Sequence, residues 1–302
     1  MRKIIKPNTF LIGVQKSATT SVYDWISQHH EVCGPIALKD YPFFLEDEKY
    51  NRGIETLQDA FIEEGYTEKN KIVLQGNVQY IFHKKALQRI HKFDSEAKLI
   101  VVLRNPVDRA LSAFQFFKKL NKETLTLNEA LKAEEKRMEG DLQTINDLTY
   151  KEHGLYSKQL KNVFDLFDPK QVLVLFYEDI INKPEDLIKK TYKFLGIDTE
   201  YVPQFKKLNV TGTFKHPWIH KMFFKDNKIR KFFVDHVVDV FLPQHKRTNI
   251  RLKVRDWNTS NESHSYSKLL YADEIEGLRN YYEKDILELE KLIHLNLDHW
   301  RN

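Results

Sequence analysis

Thr9-Phe10-Leu11-Ile12-Gly13-Val14 runs directly into Gln15-Lys16-Ser17-Ala18-Thr19-Thr20-Ser21, and a helical pattern opens near Val22. Strand, short loop and helix N-terminus in that order aim free backbone N–H groups and the positive end of a helix dipole at one point. Lys16 adds a full charge, and the hydroxyls of Ser17, Thr19, Thr20 and Ser21 add donors for phosphate or sulfate oxygens. Two uses compete for this stretch: an anion site, or hydroxyls that only cap the helix. A lysine inside the loop with four hydroxyls in five positions favours the anion.

Outward from this junction, short apolar runs alternate with stretches of helical period. Thr9–Val14, Ile72–Gln75, Leu99–Leu103 and Val172–Tyr177 are continuous aliphatic or β-branched runs, as central parallel strands are. Helical spacing fills the segments from Thr19 to His29, Phe82 to Phe93, Val107 to Leu120, Leu127 to Met138, Leu155 to Phe167, Pro184 to Leu195 and Ala272 to Ile293. Pro184 suits a first helical turn and Gly196 a stop. The alternation predicts an α/β protein, a three-layer P-loop-like fold with a central parallel sheet flanked by helices. With no repeat and no Pro/Gly/Ser linker, residues 1–302 are expected to form a single domain. Residues 202–267 have no clear period and are a candidate acceptor-side segment.

Composition removes several classes. Of 302 residues, 41% are hydrophobic and 13% aromatic, enough for a core, which excludes a disordered tail or fibrous repeat. A single cysteine, Cys33, allows neither an internal disulfide nor a Cys-based zinc site, and it fits a reducing compartment. No apolar run approaches the roughly 18 residues of a membrane span, and the start lacks a secretory h-region. A soluble, cytoplasmic protein is expected. The net charge of +5 is mild, and no nucleic-acid-binding motif accompanies it.

The loop is not a Walker A sequence, because Lys16 follows Gly13 by three with no second glycine before it. Nor does Leu99–Leu103 end in the aspartate that helps hold magnesium in nucleoside triphosphatases. It ends in Arg104, followed by Asn105-Pro106-Val107-Asp108-Arg109 and, on the next helix, Ser112. Arg104 and Ser112 can clamp a phosphate through guanidinium and hydroxyl. The competing arrangement pairs Arg104 with Asp108 and leaves Ser112 to solvent.

Gln15–Ser21 and Leu103–Phe114 together resemble the two nucleotide loops of sulfotransferases that use 3′-phosphoadenosine 5′-phosphosulfate. Further segments agree in order: Gly154-Leu155-Tyr156-Ser157-Lys158-Gln159-Leu160 is similar to a Gly-x-Tyr segment of bacterial and heparan-sulfate-type members. Val172–Ile180, Pro184, Phe194-Leu195-Gly196-Ile197 and the run from Tyr281 through Glu290 to Trp300 follow the family's closing strand and helices. The resemblance implies that Gln15, Lys16, Ser17, Ala18, Thr19, Thr20 and Ser21 grip the 5′-phosphosulfate, that Arg104 and Ser112 grip the 3′-phosphate, and that Tyr156 belongs to the donor site. It also implies in-line sulfuryl transfer to a hydroxyl or amine without a metal, releasing adenosine 3′,5′-bisphosphate, with Lys16 neutralising the leaving oxygen. Family members in the Golgi commonly carry a disulfide, so the lone cysteine points to a cytoplasmic, bacterial version.

The base follows from the same resemblance. Polysaccharide-type members carry a glutamate in a Lys-Glu-x-x-Phe-Phe stretch, and here it reads Lys39-Asp40-Tyr41-Pro42-Phe43-Phe44. Asp40 is one methylene shorter and competent as a general base, or a loop residue turning the chain before Pro42. Small-molecule sulfotransferases use histidine; His29, His30 and His83 are available, with His29 and His30 expected at the surface or capping the first helix. The chain departs from the family at Gln75-Gly76-Asn77-Val78-Gln79-Tyr80, where Gly76 replaces a usual lysine, and Lys215 is a candidate substitute. Tyr41, Phe43, Phe44, Tyr80, Phe116, Phe117 and Trp218 are candidates for an acceptor cleft, most of them expected in the core. The acceptor expected is a hydroxyl-bearing glycan or glycolipid. Competing readings are a kinase of unusual loop sequence and a non-catalytic anion- or glycan-binding protein.

Overall fold

The structure is a computed structural model that describes residues 4–205 and 271–301. Five strands form one parallel sheet in the order β2-β3-β1-β4-β5. They are β1 (Thr9–Gly13), β2 (Val32–Cys33), β3 (Ile72–Gly76), β4 (Lys98–Leu103) and β5 (Val172–Phe176). The four expected strands are present, and β2 is an addition. Its two residues pair with Ile72 and Val73, too short a run to stand out in sequence.

Twelve helices are described: α1 (Thr19–Ser27), α2 (Asp47–Asn51), α3 (Gln58–Glu63), α4 (Lys84–Phe93), α5 (Pro106–Lys119), α6 (Leu127–Lys132), α7 (Glu134–Arg137), α8 (Leu142–Leu148), α9 (Tyr156–Phe164), α10 (Tyr177–Asn182), α11 (Pro184–Leu195) and α12 (Ala272–Ile293). α11 and α12 have the expected bounds, and Gly196 ends α11 in the left-handed region at φ 76°. The helix expected from Leu127 to Met138 is broken at Ala133. The break lets the buried Glu134 carboxylate accept the N–H groups of Lys151 (2.9 Å) and Glu152 (2.7 Å), a tertiary demand invisible in the local period. The expected strand end at Tyr177 is instead the first residue of α10.

Alternation along the strands divides the core into two layers. Phe10 and Ile12 of β1 with Leu99, Val101 and Leu103 of β4 face α4, α5, α9 and α12. Leu11 with Ile100 and Val102 face α1 and α11. α1 leaves β1 on one face and α5 leaves β4 on the other, while β1 lies between β3 and β4. A crevice outside the carboxyl ends of β1 and β4 is therefore a topological switch point, where open α/β sheets bind ligands.

Candidate active site

The first loop leaves β1 at that switch point. Gly13 is required there: a Cβ would lie 2.5 Å from Ile81 Cγ2, and Ile81 N–H donates to Ile12 O at 2.9 Å as the segment after β3 crosses the strand end. Lys16 and Ala18 adopt φ 70° and 58°. Left-handed residues alternating with ordinary ones turn successive N–H groups into one concavity. Among the described residues, the N–H groups of Lys16, Ser17, Ala18, Thr19 and Thr20 find no protein acceptor. Ala18 is the N-cap of α1 and no side chain caps that helix, so the capping alternative for the hydroxyls does not hold. The Ser17 hydroxyl is buried with no partner. A buried polar group left without a partner is costly and marks a place for a ligand or water.

Lys16 is the charged member of this concavity. Its ammonium sits 4.0 Å from the centroid of the Phe116 ring. Burial, then the charges of Arg104, Lys119 and Arg109, pushes its pKa down to about 8. No carboxylate of the described residues pairs with Lys16, Arg104 or Arg109. Arg104 is set by strand register: Leu103 pairs with Phe176, so the next residues, Arg104 and Tyr177, meet. The guanidinium lies 4.3 Å over the Tyr177 ring, and Nη1 donates to Lys16 O at 2.9 Å. Its Nε is buried without a partner. Arg104 therefore braces the loop and stacks on Tyr177, in place of the alternative pairing with Asp108. Ser112 lies half-buried two turns along α5.

Tyr156 is fully buried, and its hydroxyl donates to Arg104 O at 2.9 Å. It holds the strand end from behind. Asn105 adds to this support, accepting the N–H of Val107 (3.0 Å) as cap of α5 and donating to Trp300 O (3.1 Å). Trp300 in turn donates to Glu178 Oε1 at 3.2 Å and packs edge-on to Tyr156 and Phe176. Gln15 and Gln79 both donate to Asn146 O, at 3.2 and 3.1 Å, so α8 anchors the other side of the loop.

Asp40 stands at the end of the neighbouring strand. Its N–H donates to Gly76 O at 2.7 Å, and Asn77 N–H donates to Leu11 O at 2.9 Å, tying it to β1 through β3. Its exposed carboxylate accepts Lys39 Nζ at 2.5 Å and Val78 N–H at 3.2 Å. Lys39 lies opposite Gly76 in an isolated bridge, which sets Lys39 and Asp40 beside the end of β3. A side chain at 76 would meet Leu11 and Tyr23 at 3.2 Å. Lys215, the candidate substitute, and Trp218 lie outside the described residues.

The histidines have other duties. His29, expected at the surface, is buried: its Nδ1 accepts Glu31 N–H (3.1 Å) and its Nε2 donates to Asp198 O (3.0 Å). His30 is exposed. His83 bonds Asn146 Oδ1 at 2.7 Å, and burial lowers its pKa. Among the described residues, His29, His30 and Glu31 bring ligand atoms within 4.8 Å of one another. Both nitrogens of His29 are engaged, and Glu31 pairs with Lys71, so the group serves the local fold. Phe43, Phe44, Tyr80 and Phe117 are core residues, and Tyr41 packs against that core.

A parallel sheet, a nest of free N–H groups after β1 and a strand-end arginine after β4 are the arrangement on which the comparisons bear. Residues 6–234 match the sulfotransferase domain family. The chain belongs to that family. Over 205 residues it is 26% identical to heparan sulfate glucosamine 3-O-sulfotransferase 3B1 of Homo sapiens, covering 63% of this chain and 46% of that protein. It is 25% identical over 194 residues to heparan sulfate glucosamine 3-O-sulfotransferase 5 of Homo sapiens, covering 63% and 54%. The chain thus spans about half the length of the curated relatives it matches. A sulfotransferase from Alicyclobacillus acidocaldarius superposes over 99% of this chain and 100% of that one, with a TM-score of 0.65 at 24% identity, which establishes a shared fold. In this member of the sulfotransferase family, Tyr177 and Asn146 escaped sequence reading as neighbours of the loop, and Phe116, read from sequence as a candidate for the acceptor cleft, lies against Lys16. Strand register or tertiary approach places each of them.

Proposed function

We propose that the protein transfers the sulfuryl group of 3′-phosphoadenosine 5′-phosphosulfate to a hydroxyl or amine of a carbohydrate acceptor. The observation that carries this reading is a cradle built for a polyanion. Among the described residues, five consecutive N–H groups and the Ser17 hydroxyl have no protein partner, and no carboxylate pairs with the two cations beside them, Lys16 and Arg104. Such a cradle is costly unless an anion completes it. The donor has two anionic ends, and the site has two cationic grips, Lys16 with Gln15–Ser21 for one and Arg104 with Ser112 for the other. Tyr156 acts through Arg104 by holding its carbonyl.

In this mechanism Lys16 and the loop N–H groups stabilise charge that grows on the leaving phosphate oxygen. Asp40 accepts the proton of the attacking hydroxyl. Lys39 Nζ holds that carboxylate in place, and Val78 N–H orients its second oxygen. Asp40 is exposed, as a base that must meet a large acceptor needs to be. The names of the relatives support a glycan acceptor. No step calls for a metal. A reducing, cytoplasmic setting belongs to the same proposal; its support is the lone Cys33, which is buried and free. Among the described residues no helix is long and apolar enough to cross a membrane.

The test is transfer of labelled sulfuryl from the donor to a panel of oligosaccharides, run beside thermal unfolding. Adenosine 3′,5′-bisphosphate at a hundredfold its dissociation constant should add about 2.7 kcal/mol of stability, and ATP with magnesium should add far less. Equal stabilisation by both, or transfer undiminished in both Lys16→Ala and Asp40→Asn, overturns the reading.

A further inference from the structure

Ser112 and Phe116 are four residues apart on α5, so they share one face of that helix. That face meets the first loop, where the Lys16 ammonium lies 4.0 Å from the Phe116 ring centroid. The main chain of the same lysine is held by Arg104, through the 2.9 Å bond to its carbonyl. Lys16 is therefore gripped at both ends, and at its charged end the partner is a neutral ring. The charged groups that act on it, Arg104 at the end of β4 and Lys119 and Arg109 on α5, are all cations.

We propose that Phe116 is a positioning residue for Lys16: its ring face holds the ammonium beside the N-terminus of α1, charged and correctly aimed, until the donor phosphate takes it over. The inference rests on the reading that Lys16 faces the leaving oxygen. A carboxylate at this place would pair with Lys16 and repel an anionic donor. An alkyl side chain would leave a desolvated ammonium among cations with no compensation. A ring attracts the cation through its quadrupole yet is a weaker partner than an anionic oxygen, so it gives the lysine up on binding. The ring favours the protonated amine and opposes the burial and the like charges that lower the Lys16 pKa.

The test uses Phe116→Leu, which keeps apolar bulk and removes the ring, beside Phe116→Tyr and Phe116→Trp, which keep a ring face. Without nucleotide, the rate of Lys16 acylation by an amine-selective ester is followed against pH by peptide mass spectrometry. Phe116→Leu should shift the Lys16 titration to lower pH and reduce kcat by about 2- to 30-fold with the acceptor KM unchanged. Tyr and Trp should restore both. An unshifted titration in Phe116→Leu overturns the inference, as does failure of both aromatic variants to restore it. Should Phe116→Leu not fold, the wild type must titrate together with the Tyr and Trp variants, and Phe116→Met must titrate lower. The acylation readout needs neither donor nor acceptor. A shifted titration in a protein that transfers no sulfuryl group supports the positioning role and refutes the proposed activity.

Discussion

Binding of adenosine 3′,5′-bisphosphate should weaken as pH rises from 7 to 9, through the proton on Lys16. Burial and the surrounding cations set this group at about 8 in the free protein. An amine titrating there is about nine-tenths protonated at pH 7 and about one-tenth at pH 9. A phosphate beside the amine favours the ammonium and lifts its pKa, so the bound form stays protonated across the range. Binding at pH 9 must therefore take up about 0.9 of a proton, against about 0.1 at pH 7. The dissociation constant should rise about tenfold between the two, equivalent to about 1.4 kcal/mol. Isothermal titration in buffers of different ionisation enthalpy counts the proton directly. Lys16→Arg supplies the control, because a guanidinium stays charged throughout and should flatten the profile. An equal dissociation constant at both pH values, with no proton uptake, refutes the reasoning, as does an arginine variant with the wild-type slope.

Three further outcomes follow from the same geometry. Asp40→Asn should lower kcat by about 10²- to 10⁴-fold while leaving the bisphosphate dissociation constant unchanged, measured by steady-state transfer and calorimetry. Tyr177→Leu removes the ring under Arg104 and should weaken bisphosphate binding by about 2- to 30-fold, with Tyr177→Phe close to wild type. Asn105→Ala removes the cap of α5 and the bond to Trp300 and should cost about 1 to 2 kcal/mol in denaturant unfolding.

The strands were legible where burial on both faces left a continuous apolar signature. Leu99–Leu103 has aliphatic side chains serving both core layers, so no other reading fits it. β2 carries no such signature, since two residues at a sheet edge hold no period. α10 was hidden for another reason: Tyr177 looks like the end of an apolar run, and the chain turns helical there with no linker to announce it. Lys16, Ser17 and Arg104 stand out in the sequence because the anion site proposed for them follows from local order, strand then loop then helix, or strand end then helix.

The partners of those residues obey a different logic. Tyr177 reaches Arg104 because β4 and β5 are parallel and in the register Leu103 to Phe176, a pairing between residues 73 positions apart. Asn146 reaches Gln15 from α8 across 131 positions. Lys39, beyond β2, stands by Gly76, the last residue of β3, through an isolated bridge. In each case the sequence names the residue, and the tertiary fold chooses what holds it. The same holds between the two proposed grips. Arg104 comes from β4, yet its guanidinium closes on the carbonyl of Lys16 after β1. Losing Arg104 therefore loosens the loop that bears Lys16 as well as removing a cation, and Arg104→Ala should raise kcat-relevant errors of Lys16 placement along with the dissociation constant. Arg104→Lys, which keeps the charge but not the planar fork, should recover only the electrostatic part.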